Sequence, residues 1–152
     1  NQAPVTPQSN SQILGKKYKF NDGFSIDVNS GIVLDAIYGL MWQDAAEIFK
    51  GSYKDAVSYC ENLNHGGYSD WRLPSASELL SITDYGRYKP AINKAFKYVG
   101  KEGGDKYGSY WSSTGASFDA DGVWVVQFSS GFDNWVKINS GDNFARCVRN
   151  LK

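Results

Sequence analysis

Between Lys16 and Gln43, short apolar runs alternate with clusters of Asn, Asp and Gly. Tyr18-Lys19-Phe20 leads into Asn21-Asp22-Gly23, and Ser25-Ile26-Asp27-Val28 leads into Asn29-Ser30-Gly31. Ile32-Val33-Leu34-Asp35 follows, and Leu40-Met41-Trp42 closes the stretch. Such runs, punctuated by turn formers, predict a β-meander. The period then changes. Ser52-Tyr53-Lys54-Asp55 places an N-cap hydroxyl three residues before an acid, and Ala56, Val57, Cys60 and Leu63 recur behind it at helical spacing. This predicts a helix ended by His65-Gly66-Gly67, with Cys60 on its inner stripe. Ser75-Ala76-Ser77-Glu78, introduced by Pro74, repeats the cap, and Leu79, Leu80 and Ile82 supply the apolar side of a second short helix. Ala91, Ile92, Ala95, Phe96 and Val99 predict a further short helix. The remainder reads as β: Ser109-Tyr110-Trp111-Ser112, Val123 to Phe128, Trp135 to Asn139, and Phe144 to Val148. Strands, two main helices and strands again describe an α+β domain whose N- and C-terminal strands pair.

The length of 152 residues suits one domain. Its expected extent is 16–152, behind an N-terminal extension or linker over 1–15. That leading segment, NQAPVTPQSNSQILG, is uncharged and rich in Gln, Asn, Pro and Ser, like a linker behind a removed signal sequence or an upstream domain. Export is the expectation it raises. Sixteen basic residues balance sixteen acidic ones, which argues against a general nucleic-acid binder. No run approaches the ~20 apolar residues of a membrane-spanning helix. Aromatic residues make up 15%, a share that suits a recognition protein. Cys60 and Cys147 are the two cysteines. With no CxxC spacing they do not form a zinc or thioredoxin motif. Two buried thiols and a disulfide in an oxidising compartment are both open on composition alone.

Five strings occur in an order and spacing that resemble one family. They are Gly39-Leu40-Met41-Trp42-Gln43, Asp70-Trp71-Arg72-Leu73-Pro74-Ser75 with Glu78-Leu79, Tyr110-Trp111-Ser112-Ser113-Thr114, Trp124-Val125-Val126-Gln127-Phe128, and Arg146-Cys147-Val148-Arg149. Together they resemble the C-terminal domain of the Legionella collagen-like adhesin, from about Lys16 to the end of the chain. The resemblance implies a C-type-lectin-like fold: a small twisted antiparallel sheet, two main helices and paired terminal strands. It also implies a disulfide joining the first helix to the last strand, where Cys60 and Cys147 fall. The family is bacterial and mostly secreted or surface-anchored. The adhesin binds sulfated glycosaminoglycans, and other members look like the variable proteins of diversity-generating retroelements. Fold alone does not transfer either activity.

Asp70-Trp71-Arg72-Leu73-Pro74 reads first as structure, packing and orienting the capped helix behind it. The string also resembles part of the formylglycine-generating enzymes, which depend on reactive cysteines in the second half of their domain. Here only Cys147 lies there, and a thiol held in a disulfide supplies no thiolate. His65 is the sole histidine and reads as a loop residue. No nucleophile with a positioned His and acid can be assembled, and Gly100 to Gly104 lacks the Lys-Ser/Thr of a phosphate loop. Asp119 and Asp121 mimic the start of a calcium loop, but the rest of the oxygen set is missing. The expectation is therefore a protein that is not an enzyme, with no cofactor, no metal site and calcium-independent binding.

Recognition is expected between Gly115 and Asn143. Alternation in Trp135-Val136-Lys137-Ile138-Asn139 turns Val136 and Ile138 inward and Trp135, Lys137 and Asn139 outward. They stand beside Asp133 and a loop holding Phe118, Asp119 and Asp121. An exposed Trp among polar groups of both signs is typical of binding surfaces. The rival site is the basic stretch Arg87, Lys89, Lys94, Lys97 and Lys101, suited to sulfated or carboxylated glycans. The expected function is a ligand-binding module of an exported or cell-surface bacterial protein, extracellular or periplasmic, adhesin-like or variable-receptor-like. Its ligand is a glycan or a protein. The alternative is a structural subunit of a surface assembly, self-assembling through the N-terminal segment.

Overall fold

The computed structural model describes residues 17–19 and 22–151. The linker expected over 1–15, and the self-assembly attached to it, lie outside those residues. So do Phe20, at the end of the first expected strand, and Asn21, at the start of the turn after it. In chain order the strands β1 (Lys17–Lys19), β2 (Phe24–Asp27), β3 (Ile32–Asp35), β4 (Leu40–Gln43) and β5 (Phe49–Gly51) precede helices α1 (Tyr53–Glu61) and α2 (Ala76–Ser81). They are followed by β6 (Lys101–Gly103), β7 (Lys106–Tyr107), β8 (Ser109–Gly115), β9 (Gly122–Gln127), β10 (Phe132–Lys137), β11 (Asn143–Ala145) and β12 (Val148–Asn150). The architecture is thus α+β, mostly strands with two short helices.

The expected single antiparallel sheet is two five-stranded sheets and a small hairpin. The first runs β1-β2-β3-β4-β12 and is antiparallel throughout, so the last strand joins the N-terminal meander through β4 rather than β1. The second runs β10-β9-β8-β11-β5 and is mixed, because β11 lies parallel to β8. Gly31 (φ 65°) and Gly131 (φ 83°) take the left-handed conformation that closes the β2–β3 and β9–β10 hairpins.

Both sheets bury side chains on two faces, so consecutive residues enter different cores. Val33, Trp42, Tyr110, Val126 and Phe144 pack in one cluster with Leu79 and Ile82 of the α2 region. Ile32, Met41, Trp111, Val125 and Ala145 pack in the other with Ala56 and Cys60 of α1. A strand covered on both faces reads as a continuous apolar string, as in Leu40-Met41-Trp42, rather than as alternation. Phe144 fits because Gly100 and Gly108 have no side chains; a Cβ on either would fall within 2.6 Å of its ring.

Both N-caps form. Ser52 accepts from the Asp55 amide, and α1 ends at Glu61 with Asn62 as its C-cap, before the expected His65-Gly66-Gly67. Ser75 and Glu78 make a complete capping box on α2. Arg72 grips Glu78 with two bonds of 2.8 Å and reaches Asn150 as well. That guanidinium holds the Glu78 carboxyl below its ordinary value, against burial, which pushes it up. The contribution to stability is complete above about pH 4.3, the value in an unfolded chain, and is lost as pH falls through the lowered folded value. Glu78→Gln is expected to flatten that acid limb in thermal melts taken from neutral to acidic pH. An unchanged slope would place the acid sensitivity in other carboxylates.

The helix expected from Ala91, Ile92, Ala95, Phe96 and Val99 does not form. Its amides are claimed by distant partners instead: Ala91 N–H donates to Phe128 O (2.7 Å) and Asn93 N–H to Ile82 O (2.8 Å). The Lys97 and Tyr98 amides donate to the Asp44 carboxylate (2.9 and 3.0 Å). The segment still buries Ala91, Ile92, Ala95 and Phe96, but in irregular backbone. Phe144 to Val148 likewise does not form one strand. The chain leaves the second sheet after Ala145 and enters the first at Val148. The crossing is held by Gln43, whose amide donates to Cys147 O and whose side-chain oxygen accepts from the Cys147 amide. There Cys147 is disulfide-bonded to Cys60 in the last turn of α1, with Cα atoms 5.5 Å apart.

Candidate ligand-binding face

β10 forms one border of the second sheet and pairs with β9 in unbroken register from Phe132↔Gln127 to Lys137↔Gly122. Trp135 stands opposite Trp124. Above them folds the connection between β8 and β9. The Ala116 amide donates to Gly122 O (2.8 Å), the Gly122 amide to Asp119 O (3.0 Å), and the Asp121 amide to Asp119 Oδ1 (3.0 Å). This compact turn carries Phe118 edge-on to Trp135 (5.1 Å between ring centroids) and to Trp124 (6.4 Å). Gly122 permits the approach, since a Cβ there would sit 3.2 Å from the Trp135 ring and 3.3 Å from Asp119 Cβ. Lys137 Nζ lies 2.5 Å from Asp119 Oδ2. The bonded ammonium lowers the Asp119 carboxyl, and Asp119 raises Lys137 in return. Lys137 is half open to water and Asp119 is largely covered by the turn, so solvent screens the pair from the lysine side and it orients the turn more than it stabilises the fold.

The fold therefore brings Phe118, Asp119, Trp135 and Lys137 together, with Phe118 62% and Trp135 39% exposed. Asp133 is exposed on the same side of the strand, two residues from Trp135. Asp121 is exposed at the end of the turn and uses its carbonyl to accept from the Ile138 amide (2.8 Å). Asn139 lies past the strand in the following turn. Ile138 corrects the expected alternation: it too lies beyond β10 and is exposed, leaving Val136 alone packed inward. Trp124 and Phe132 belong to the region but were not expected there. Phe132, 67% exposed, lies on the extension of β10 toward its turn, which begins three residues earlier than expected. The signal for Trp124 was its position one residue out of step with the buried Val123 and Val125.

The rival basic residues Arg87, Lys89, Lys94, Lys97 and Lys101 are all exposed. Lys89 reaches Asp105 at 3.7 Å, Lys97 lies over the Tyr98 ring and Lys101 over the Tyr107 ring. They sit on a turn, an irregular segment and a short hairpin rather than on one element. A shallow groove of about 500 Å³ lies elsewhere, between Tyr38, Leu40, Ser77, Leu80, Ser81 and Tyr85.

The Asp70–Ser75 string commits its polar groups to the fold. Arg72 exchanges backbone bonds with Val148, Asp70 binds Arg149 (2.5 Å), and Trp71 Nε1 donates to the carbonyls of Tyr68 and His65. His65 Nε2 is 2.7 Å from Gly31 O and the ring packs on Trp71. Among the described residues no three His, Cys, Asp or Glu side chains are grouped to hold a metal ion, and no helix is long and apolar enough to cross a membrane.

Residues 31–149 match the family model for the Lcl C-terminal domain. No curated protein sequence matches the chain.

Proposed function

The chain belongs to the Lcl C-terminal domain family, and from that premise we propose a non-catalytic ligand-binding module of an exported bacterial protein, adhesin-like or variable-receptor-like. The observation that carries this reading is the Phe118–Trp124–Trp135 cluster, half open to solvent beside the Asp119–Lys137 pair. Aromatic surface with polar groups of both signs at its rim provides apolar contact area and orienting hydrogen bonds together, as a glycan or protein ligand requires. The Cys60–Cys147 bond supports an extracellular or cell-surface location, because such bonds persist in oxidising compartments. It also supports the absence of catalysis of the formylglycine-generating kind, since neither sulfur is free to react. Three features support a C-type-lectin-like fold as part of this reading: the last strand returns to the N-terminal meander, two helices precede the second-half strands, and the disulfide ties the first helix to the end of the chain.

A panel of sulfated glycans and surface proteins tests this reading on the wild type and two variants. Trp135→Ala with Lys137→Ala is expected to weaken binding by about 2 kcal/mol, or roughly thirtyfold, because a central aromatic anchor carries that much. Reversing Lys94, Lys97 and Lys101 to Glu is expected to change association rate only modestly, and a chelator to change nothing. The inverted ranking, with steep loss between low and physiological salt, would assign the ligand to the basic segment. A glycan or protein bound equally by all three would remove the site from both places and favour the structural-subunit alternative.

A further inference from the structure

The geometry points to the border of β10, which no strand of the described residues covers, as a self-docking edge: a second copy of this chain pairs with it antiparallel, centred on Trp135. Ile138 donates its N–H across the hairpin to Asp121 O. In an antiparallel ladder that orientation recurs at alternate residues, so Phe132, Asn134 and Val136 turn their backbone groups toward β9. Asp133, Trp135 and Lys137 turn theirs off the sheet. The Lys137 carbonyl is taken by the Ser140 amide (3.1 Å) and hydroxyl (2.7 Å), so Lys137 offers its N–H, while Asp133 and Trp135 turn out both groups. A second feature agrees: the Trp135 amide is bonded not to β9 but to the side chain of its own neighbour, Asn134 Oδ1, at 2.9 Å.

This edge has neither a proline nor a bulge to blunt it, and its charges, Asp133 and Lys137, are of opposite sign. Five of its six residues are exposed. Its sequence is also self-complementary. Only residues with outward backbone groups can form the new ladder, and centring on Trp135 sets Trp135 against Trp135 of the second copy. Asp133 then faces Lys137 of the second copy, and Lys137 faces its Asp133. Directly opposed side chains on one face of an antiparallel pair stand about 5 Å apart, close enough for both ion pairs and the ring contact. Neighbouring centres do worse. Centring on Asn134 or Val136 would also keep outward groups in register, but would set Asp133 opposite Trp135 or Trp135 opposite Lys137, and neither matches opposite charges. Docking replaces the Asn134 cap with a carbonyl of the partner strand and lets Lys137 bridge Asp119 and the incoming Asp133. It joins the two second sheets into one and merges two aromatic clusters into a single surface. The pairing stands without the ligand-binding reading, although it would double that face.

Sedimentation equilibrium on the full chain without ligand tests it. The wild type is expected to show a monomer–dimer equilibrium. Asp133→Lys and Lys137→Asp, each folded by its melting profile, are each expected to weaken association at least about tenfold, because like charges then face each other. Mixed one to one, the two variants are expected to associate again, since the two cations on the edge of one copy then face two carboxylates on the edge of the other. Trp135→Pro, which removes the central outward N–H and no bond to β9, is expected to abolish association. A monomeric wild type would overturn the proposal. So would variants that dimerise like the wild type, or a mixture that stays monomeric. A wild-type monomer that instead captures an extended peptide of another protein would assign the edge to a different occupant. Ligand binding by Trp135→Ala, Lys137→Ala is read separately, so the two proposals fail independently.

Discussion

Reducing the Cys60–Cys147 bond is expected to cost up to about 4–5 kcal/mol. The cysteines are 87 residues apart in sequence, and cross-linking so long a loop removes much of the entropy of the unfolded chain. A domain of this size holds a net stability of only ~5–15 kcal/mol. At ~2–4 °C per kcal/mol, melting should fall by roughly 10–20 °C. The effect has a structural side as well. Both cysteines are fully buried, and Cys147 lies where the chain passes from one sheet to the other, so the bond fastens that crossing to α1. The Cys60→Ala, Cys147→Ala double variant should melt like the reduced protein, and the untreated protein should show no reactive thiol after unfolding. Two titratable thiols, or a melting point indifferent to reductant, would contradict this account.

Arg146→Met is expected to destabilise the fold by about 3–5 kcal/mol. Arg146 and Asp44 are almost wholly buried, 3.2 Å apart. The guanidinium also donates to the carbonyls of Gln43 (2.7 Å) and Tyr98, and lies over the rings of Phe96 and Tyr110. Asp44 in turn accepts the amides of Lys97 and Tyr98. The pair thus pins the irregular segment after Ala91 to the end of β4. Removing the cation leaves a buried carboxylate facing only two amides, and that uncompensated charge accounts for most of the cost. Asp44→Ala should be comparably severe, because it strands the guanidinium and two backbone donors. The double variant Asp44→Ala, Arg146→Met should cost less than the two single changes added together. Denaturant unfolding of the three variants measures this directly, and strict additivity would mean that the two groups act independently.

Elements whose rules are local could be read in the chain before folding. The meander from β1 to β4 follows from its Asn, Asp and Gly turns, and both helix starts follow from Ser52 and Ser75, whose hydroxyls need only amides three residues on. The spacing that turned Cys60 inward was also sufficient, although its partner came from family likeness. At the candidate face, Trp135, Lys137, Phe118 and Asp119 could be named from alternation and composition. Their convergence could not, because it depends on the turn over Ala116–Gly122 and on a glycine that leaves room for a ring. The segment after Ala91 has helical periodicity, yet its amides bond to Phe128, Ile82 and Asp44, and those long-range bonds outweigh a short helix that is weak on its own. Arg146 reads in the chain only as a cation within the strand-like Phe144–Val148. Folding buries it, because there a carboxylate, two carbonyls and two aromatic rings converge to replace water. Periodicity records which side of a strand or helix meets apolar surroundings, but which distant group satisfies a buried polar atom is decided only when the two sheets come together.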